Sequence, residues 1–314
     1  MGRYVSRRLL LLVVQVILVA TVVFLLIRLV PGDPARAILG ETASEEQVAR
    51  VRTLLGIDRP IHEQYVSWIG RVARGDFGTS VISGRPVMLD IQQRIGNTVE
   101  LIALSTIVSL LIGIPLGIVA ALRANRATDY ALSSFAMLGL SLPSFVVGTI
   151  MLLVFGLMLR WLPPAQFVPW YVDPGQHLRV IILPVIALSL SSVAVVLRMT
   201  RSSMLEVIRQ DYIRTARAKG LSGRLVILRH ALRNSLNPVV SIVGLELAAL
   251  LGGTVIVESI FNWPGLSSLL IAGVRSRDYP VVQGVVLLIA VLTVLINLLV
   301  DLVYGWLDPR ISYA

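Results

Sequence analysis

Long apolar runs separated by short polar stretches dominate this chain. A helix needs about 20 largely apolar residues to cross the hydrocarbon core of a bilayer. Six segments meet that requirement: 9–30, 99–122, 131–159, 181–197, 238–257 and 281–304. The pattern predicts an all-α membrane protein with six transmembrane helices. The third segment is the longest and holds Pro143, so a kink or tilt is expected there. The fourth is expected to start beside Pro184, a residue that a first helical turn tolerates. Arg3, Arg7 and Arg8 precede the first run, as they would in a signal peptide. That run is too long for such a peptide, and Pro31-Gly32-Asp33-Pro34 does not resemble a cleavage site, so it is read as a retained span.

Only segment 31–98 is polar enough to form a sizeable extramembrane piece. Within it Leu54, Ile57, Tyr65, Trp68, Ile69 and Val72 recur at near-helical spacing, which predicts a small folded subdomain. Ser44 followed by Glu46 and Gln47 fits a helix start, and Gly75-Asp76-Phe77-Gly78 reads as a turn. The expected division is 1–30 for the N-terminus and first span, 31–98 for the subdomain, 99–304 for a five-helix core with a polar loop at 202–237, and 305–314 for the tail.

Orientation follows from short loops, since long translocated segments escape the charge rule. The loops 160–180 and 258–280 hold two basic residues each, while 198–237 holds nine against Glu206 and Asp211. Both termini are therefore expected on the cytoplasmic side of a plasma membrane, with the subdomain extracytoplasmic.

Composition agrees with this placement: 56% of the 314 residues are hydrophobic and 15% charged. The net charge of +10 lies in short segments beside apolar runs, which speaks against a nucleic-acid partner. With no cysteine there is no disulfide or thiolate site, and His62, His177 and His230 are too scattered to suggest a metal site. The only lysine, Lys219, precedes Gly220 and cannot belong to a P-loop. His62-Glu63 lacks a second histidine, and no nucleophile elbow occurs. Catalysis by this chain is not expected, and no cofactor or metal is assigned to it.

Glu246 is the one carboxylate well inside a predicted span. It reads either as a satisfied glutamate facing the bundle interior or as a residue lining a solute path. Arg28 and Asp301 lie near span ends, where snorkelling or interfacial pairing accounts for them. In the loop 258–280, Glu258, Phe261, Asn262 and Trp263 are candidates for a translocation mouth, with packing as the other reading.

The segment 210–221, Gln-Asp-Tyr-Ile-Arg-Thr-Ala-Arg-Ala-Lys-Gly-Leu, carries the most information. Asp211 is expected to cap a helix over 212–219, and Gly220 to end it in the left-handed conformation with Leu221 packing back. Thr215, Ala216 and Ala218 would let another protein approach closely, with Arg214, Arg217 and Lys219 at the edges. A basic lid on anionic lipid is the other reading. A second helical stretch is expected from Ser222 to Arg233, leading to Asn237-Pro238 at the start of span five.

This segment resembles the cytoplasmic-loop motif of binding-protein-dependent ABC importer permeases, in the dipeptide, oligopeptide and nickel branch. The usual form begins Glu-Ala-Ala; here Arg214-Thr215-Ala216 stands at that place, and Gly220 keeps the glycine. Pro31-Gly32-Asp33-Pro34, Gly75-Asp76-Phe77-Gly78-Thr79-Ser80, Glu258-Ser259-Ile260-Phe261-Asn262-Trp263-Pro264-Gly265-Leu266 and Asp301-Leu302-Val303-Tyr304 with Leu307-Asp308-Pro309-Arg310 also resemble this branch. The long segment after span one is similar to the first of two paired permeases.

The resemblance implies a type I ABC importer permease fold and a coupling role for Asp211, Tyr212, Arg214, Thr215, Ala216, Arg217, Ala218, Lys219, Gly220 and Leu221. It implies as partners a second homologous permease, two ATPase subunits that bind ATP and Mg, an extracytoplasmic solute-binding protein, and a peptide or similar small solute such as a nickel chelate or glutathione. A prokaryotic inner membrane is the implied location. A stand-alone ion-coupled secondary transporter is the alternative, and it would work with an ion gradient alone.

Overall fold

The apolar runs become helices that extend well beyond the runs themselves. A computed structural model describes residues 2–29, 35–36, 43–56 and 58–307. Its helices are α1 (Gly2–Leu29), α2 (Glu45–Leu55), α3 (Ile61–Val72), α4 (Val87–Leu122), α5 (Ala127–Ser141) and α6 (Ser144–Met158, closing in a π-helical stretch). They continue with α7 (Pro174–Ile208), α8 (Asp211–Ala218), α9 (Gly223–Ile260), α10 (Leu266–Arg275) and α11 (Tyr279–Leu307). Among the described residues the β structure is a single bridge, Thr79 to Pro86.

Helices α4, α7, α9 and α11 are long and apolar enough to cross a membrane, and α5 with α6 makes a fifth if that bent pair is one span. Helix α1, the first expected span, carries a shorter apolar stretch at Leu10–Leu25. The motifs 31–34 and 308–310, together with Ile57, lie outside the described residues.

Prolines divide into two kinds. Pro143 disfavours the helical conformation in the residue before it, and Leu142 is extended at φ −92°, ψ 119°. The chain turns there by 98° between α5 and α6, a sharper break than the expected kink. Pro184, expected at a helix start, instead lies buried inside α7, which begins ten residues earlier with Asp173 accepting from the Gln176 N–H at 2.9 Å and Pro174 in the first turn. Pro238 likewise lies inside α9 rather than at its start. Neighbouring helices and local π-helical adjustment allow a membrane helix to pass through proline, and α9 has such a stretch at Val226–Ala231.

The chain divides into two compact units. The first comprises Met1–Thr98 and Pro264–Leu298. Helix α2 starts with the expected cap, a reciprocal box between Ser44 and Gln47. Trp68 on α3 is buried with Ala20 and Phe24 of α1 and Leu287 of α11. Tyr65 sets its ring edge-on to Phe24 at 5.2 Å and its hydroxyl 2.7 Å from Thr21 Oγ1. The helical spacing of 65, 68, 69 and 72 is thus a face laid on α1 and α11. Gly75 and Gly78 take positive φ, 80° and 86°, and the Gly78 N–H donates to Asp76 Oδ1 at 2.8 Å, as a turn demands. A second cluster joins Val87 and Ile91 of α4 to Leu266 and Leu269 of α10 and Val281 and Val285 of α11. The segment expected as the loop 258–280 is therefore largely helical, because residues 266–275 bury an apolar face.

The second unit comprises Val99–Trp263 and Leu299–Ala314. Helix α7 is its centre: 72% of its most apolar window is buried, against 28% for α4 and α9. Helix α4 reaches α7 through glycines. A Cβ at Gly117 would lie 2.6 Å from Thr200 Cβ, and one at Gly113 would lie 2.8 Å from Val196 Cβ. Two small residues one turn apart allow this backbone approach, the device membrane helices use where lipid supplies no hydrophobic drive.

Candidate functional site

Helix α8 is a short helix whose charged side chains face outward around an apolar anchor. Its fourth-residue periodicity places Ile213 and Ala216 inward, 0% and 8% exposed, in a cluster with Ala121 of α4, Met204 of α7, and Val226 and Ala231 of α9. Ala216 was expected on the contact face; it is instead part of the anchor. Ile213, which sequence reasoning passed over, is the largest side chain α8 buries. An apolar residue three before Ala216 was the signal that could have identified it.

The ends of α8 follow local chemistry. Gln210, not Asp211, is the N-cap residue, in extended conformation with no side-chain cap bond, and Asp211 occupies the first helical position. A carboxylate there still suits the positive end of the helix. Asp211 is within 3.3 Å of Arg214 Nη1 in an exposed pair. At the other end Lys219 is the C-cap and Gly220 takes φ 78°. The Leu221 N–H donates to Ala216 O at 3.4 Å and the Gly220 N–H to Arg217 O at 3.0 Å, the pair of bonds of a Schellman ending. Leu221 itself stays exposed rather than packing back.

What remains outward on α8 is Tyr212, Arg214, Thr215, Arg217 and Ala218, with Lys219 just beyond. Asn234 on α9 donates from Nδ2 to the Tyr212 hydroxyl at 2.9 Å. The stretch expected as the loop 202–237 is therefore the end of α7, then α8, then the start of α9. The two helical stretches expected within it are thus present, and its polar residues are the solvent-facing sides of those helices.

A buried ion pair lies near this anchor. Asp129 on α5 is 1% exposed and accepts from Arg201 on α7 at 2.5 Å to Nε and 2.8 Å to Nη2. The Asn125 N–H, held at φ 61°, adds a bond to Oδ2 at 2.9 Å. Planar guanidinium and carboxylate match in this two-point contact. Both residues escaped notice in the sequence, since 72 positions separate them and neither lies inside an expected span.

The path candidates separate. Glu246 on α9 is partly buried and accepts from Ser192 Oγ of α7 at 2.7 Å, so its carboxylate is satisfied within the bundle. Glu258, expected in a loop, is in the last turn of α9 and fully buried. Phe261 and Trp263 are buried too, at 3% and 0% exposure. Phe261 closes on Gly148 of α6, where an added Cβ would meet its ring at 3.1 Å. Trp263 stands edge-on to Phe167 at 4.8 Å and 5.7 Å from the His177 ring. Asn262 between them is exposed and left-handed, φ 51°, a conformation asparagine accepts readily. His177 offers one ring nitrogen to Val168 O at 2.7 Å and the other to Glu100 Oε1 at 2.9 Å. Phe261 and Trp263 are thus enclosed within the second unit. Among the described residues no cluster of three metal-ligating side chains occurs.

Comparisons with known proteins bear on this arrangement. Residues 113–313 match the model of a family described as "Binding-protein-dependent transport system inner membrane component", and residues 1–102 match its N-terminal companion. The chain is 42% identical, over the whole of both chains, to "Probable peptide ABC transporter permease protein y4tP" of Sinorhizobium fredii. It is 44% identical, again over the whole of both, to "Glutathione transport system permease protein GsiC" of Salmonella choleraesuis. In fold it is similar to an inward-facing methionine ABC transporter, MetNI, with a TM-score of 0.57 at 16% identity, covering 70% of this chain and 97% of that one. It is also similar to an amino acid ABC transporter solved with histidines, with a TM-score of 0.51 at 17% identity, covering 69% and 94%.

Proposed function

Because this chain belongs to the binding-protein-dependent transport system inner membrane component family, and is a permease subunit of an ABC importer in the inner membrane, we propose that it is driven through α8. The importer's ATPase subunits would press on that helix from the cytoplasm. In this reading a separate pair of ATPases binds ATP and Mg, and a second homologous permease completes the path. An extracytoplasmic binding protein delivers a peptide or a glutathione-like solute, and both termini are cytoplasmic. The relatives' names support the solute class.

The observation that carries the proposal is the anchoring of α8. Ile213 and Ala216 sit in one apolar cluster with residues of α4, α7 and α9. Packed interiors transmit displacement rather than absorb it. A push on the exposed face at Arg214, Thr215, Arg217 and Ala218 would therefore move three long helices together. Coupling then amounts to a difference in contact energy at α8 between two states of the ATPases.

The test uses the complete transporter in liposomes. Ala218→Trp adds bulk on the exposed face without touching the anchor. The expected result is an inserted, assembled complex in which ATP hydrolysis no longer rises with loaded binding protein and uptake is lost. Unchanged uptake would remove α8 from the mechanism. Uphill accumulation by this chain without ATPases would replace the whole reading with a secondary transporter.

A further inference from the structure

We propose a binding pocket for an anionic phospholipid headgroup at the end of the second unit opposite α8. A cavity of about 440 Å³ is lined by Arg160, Trp161, Gln176 and Arg179, with Gly156 and Leu157 of α6 as its apolar wall. Gln176 and Arg179 are in the first two turns of α7, and α8 follows the last. At 1.5 Å rise per residue, the 35 residues of α7 place the pocket roughly 50 Å from α8. It thus lies beside the opposite surface of a membrane that α7 is long enough to cross.

Charge is the first argument. Among the described residues the side chains of Arg160 and Arg179 have no ion-pair or hydrogen-bond partner, although both border one cavity. Asp173, the nearest acid along the chain, is engaged in capping α7 through the Gln176 N–H. Two guanidiniums bordering one cavity with no carboxylate in its lining suit a phosphate, which each can meet in two-point fashion.

Position along the bilayer is the second argument, and it selects a lipid over a free ion. Leu153, Leu157 and Met158 leave at least half of their surface exposed along α6, as a face for acyl chains would. Trp161, Trp170 and Tyr171 are exposed immediately after it, the aromatic girdle found where hydrocarbon meets headgroups. An apolar face that ends in a basic pocket, beside a Trp, fits a molecule with chains at one end and a phosphate at the other.

The backbone holds the arginine in place. The Leu159 N–H donates to Val154 O at 2.8 Å, and the Trp161 N–H to Phe155 O at 3.0 Å, so the chain reverses tightly and Arg160 takes φ 52°. A long side chain rarely adopts that conformation.

Native mass spectrometry of the complete transporter in mild detergent, exchanged with equimolar phosphatidylglycerol and phosphatidylcholine, tests the pocket. The site rests only on membrane placement, so it can fail without affecting α8, and α8 can fail without affecting it. The wild type is expected to retain phosphatidylglycerol preferentially, even in excess inorganic phosphate. Arg160→Asn with Arg179→Gln keeps a residue tolerant of positive φ at 160 and removes both charges; retention should fall by about thirtyfold. Arg275→Gln, an exposed arginine of the other unit, should change nothing. Retention equal in the double variant and the wild type would overturn the proposal. So would displacement of the lipid by inorganic phosphate, which marks a free-anion site. Lipid bound to the isolated chain but excluded from the assembled transporter would also overturn it, since the pocket would then be a subunit contact.

Discussion

Two acid–arginine pairs lie near the C-terminal end of α7, and they differ in nearly every physical respect. Asp129 and Arg201 join α5 to α7 in a two-point contact whose side chains are 2% and 29% exposed. Asp211 and Arg214 are three residues apart on α8, touch at one point 3.3 Å long, and are 95% and 77% exposed. Removing one partner of the first leaves an uncompensated charge inside protein, whereas the second is solvated with or without its partner. Charge in this chain thus does two separate things. Where it is enclosed it fixes helix against helix, and where it is exposed it is free to meet another protein.

The largest effect should come from breaking the enclosed pair. Arg201→Ala is expected to cost about 3 kcal/mol, the lower end for a buried pair because the guanidinium keeps some contact with solvent. Thermal unfolding of the solubilised transporter would read this as a drop of several degrees. Arg201→Lys keeps the charge but loses the planar two-point match, and should fall between. Asp129→Leu combined with Arg201→Leu should recover much of the loss; a double variant as unstable as Arg201→Ala would mean that something other than unpaired charge is at stake.

Next in size is the anchor of α8. Ile213→Ala removes the largest side chain from a closed cluster, at about 2–4 kcal/mol for a cavity of that kind. The loss should be local: faster proteolysis within 209–222, together with weaker stimulation of hydrolysis by loaded binding protein. Gly220→Ala comes third. Gly220 holds φ 78° with nothing within 4 Å of an added Cβ, so the cost is backbone strain alone, about 1 kcal/mol. Hydrogen exchange of the α8 amides should quicken while those of α7 stay unchanged.

The same contrast explains how much was legible beforehand. Apolar runs mark where helices cross, and the spacing of Tyr65, Trp68, Ile69 and Val72 marks a buried face, because both signals are local. The Ser44 cap and the Gly220 ending are local too, and both are present. Two helix limits were not legible: α4 and α7 begin at Val87 and Pro174, in polar stretches that composition alone assigns to loops, whereas the start of α9 beside Ser222 was expected, though not its unbroken run through Pro238. Pro184 and Pro238 were read as starts because a soluble helix would rarely continue through them. Asp129 with Arg201, and Glu100 with His177, depend on partners 72 and 77 positions away, which no pattern along the chain reveals. Phe261 and Trp263 were noticed for being apolar outside a span; only the fold shows that they are enclosed.

The smallest effect on stability, and the sharpest division between the two pairs, is expected at Arg214. An exposed pair three residues apart on one helix contributes little, so Arg214→Ala should leave thermal unfolding of the solubilised transporter where it is. The same substitution removes a guanidinium from the face that we propose meets the ATPase, so stimulated hydrolysis and uptake should both decline, and the decline should steepen with rising salt as the remaining exposed charges are screened. Arg201→Ala provides the reference, with stability lost first and coupling lost as a consequence. If Arg214→Ala lowered the unfolding temperature as much as Arg201→Ala, the division between enclosed and exposed charge would fail. If it left both stability and stimulated hydrolysis intact, the exposed basic face would have no part in coupling, and Tyr212, Thr215 and Ala218 would have to carry the contact by shape alone.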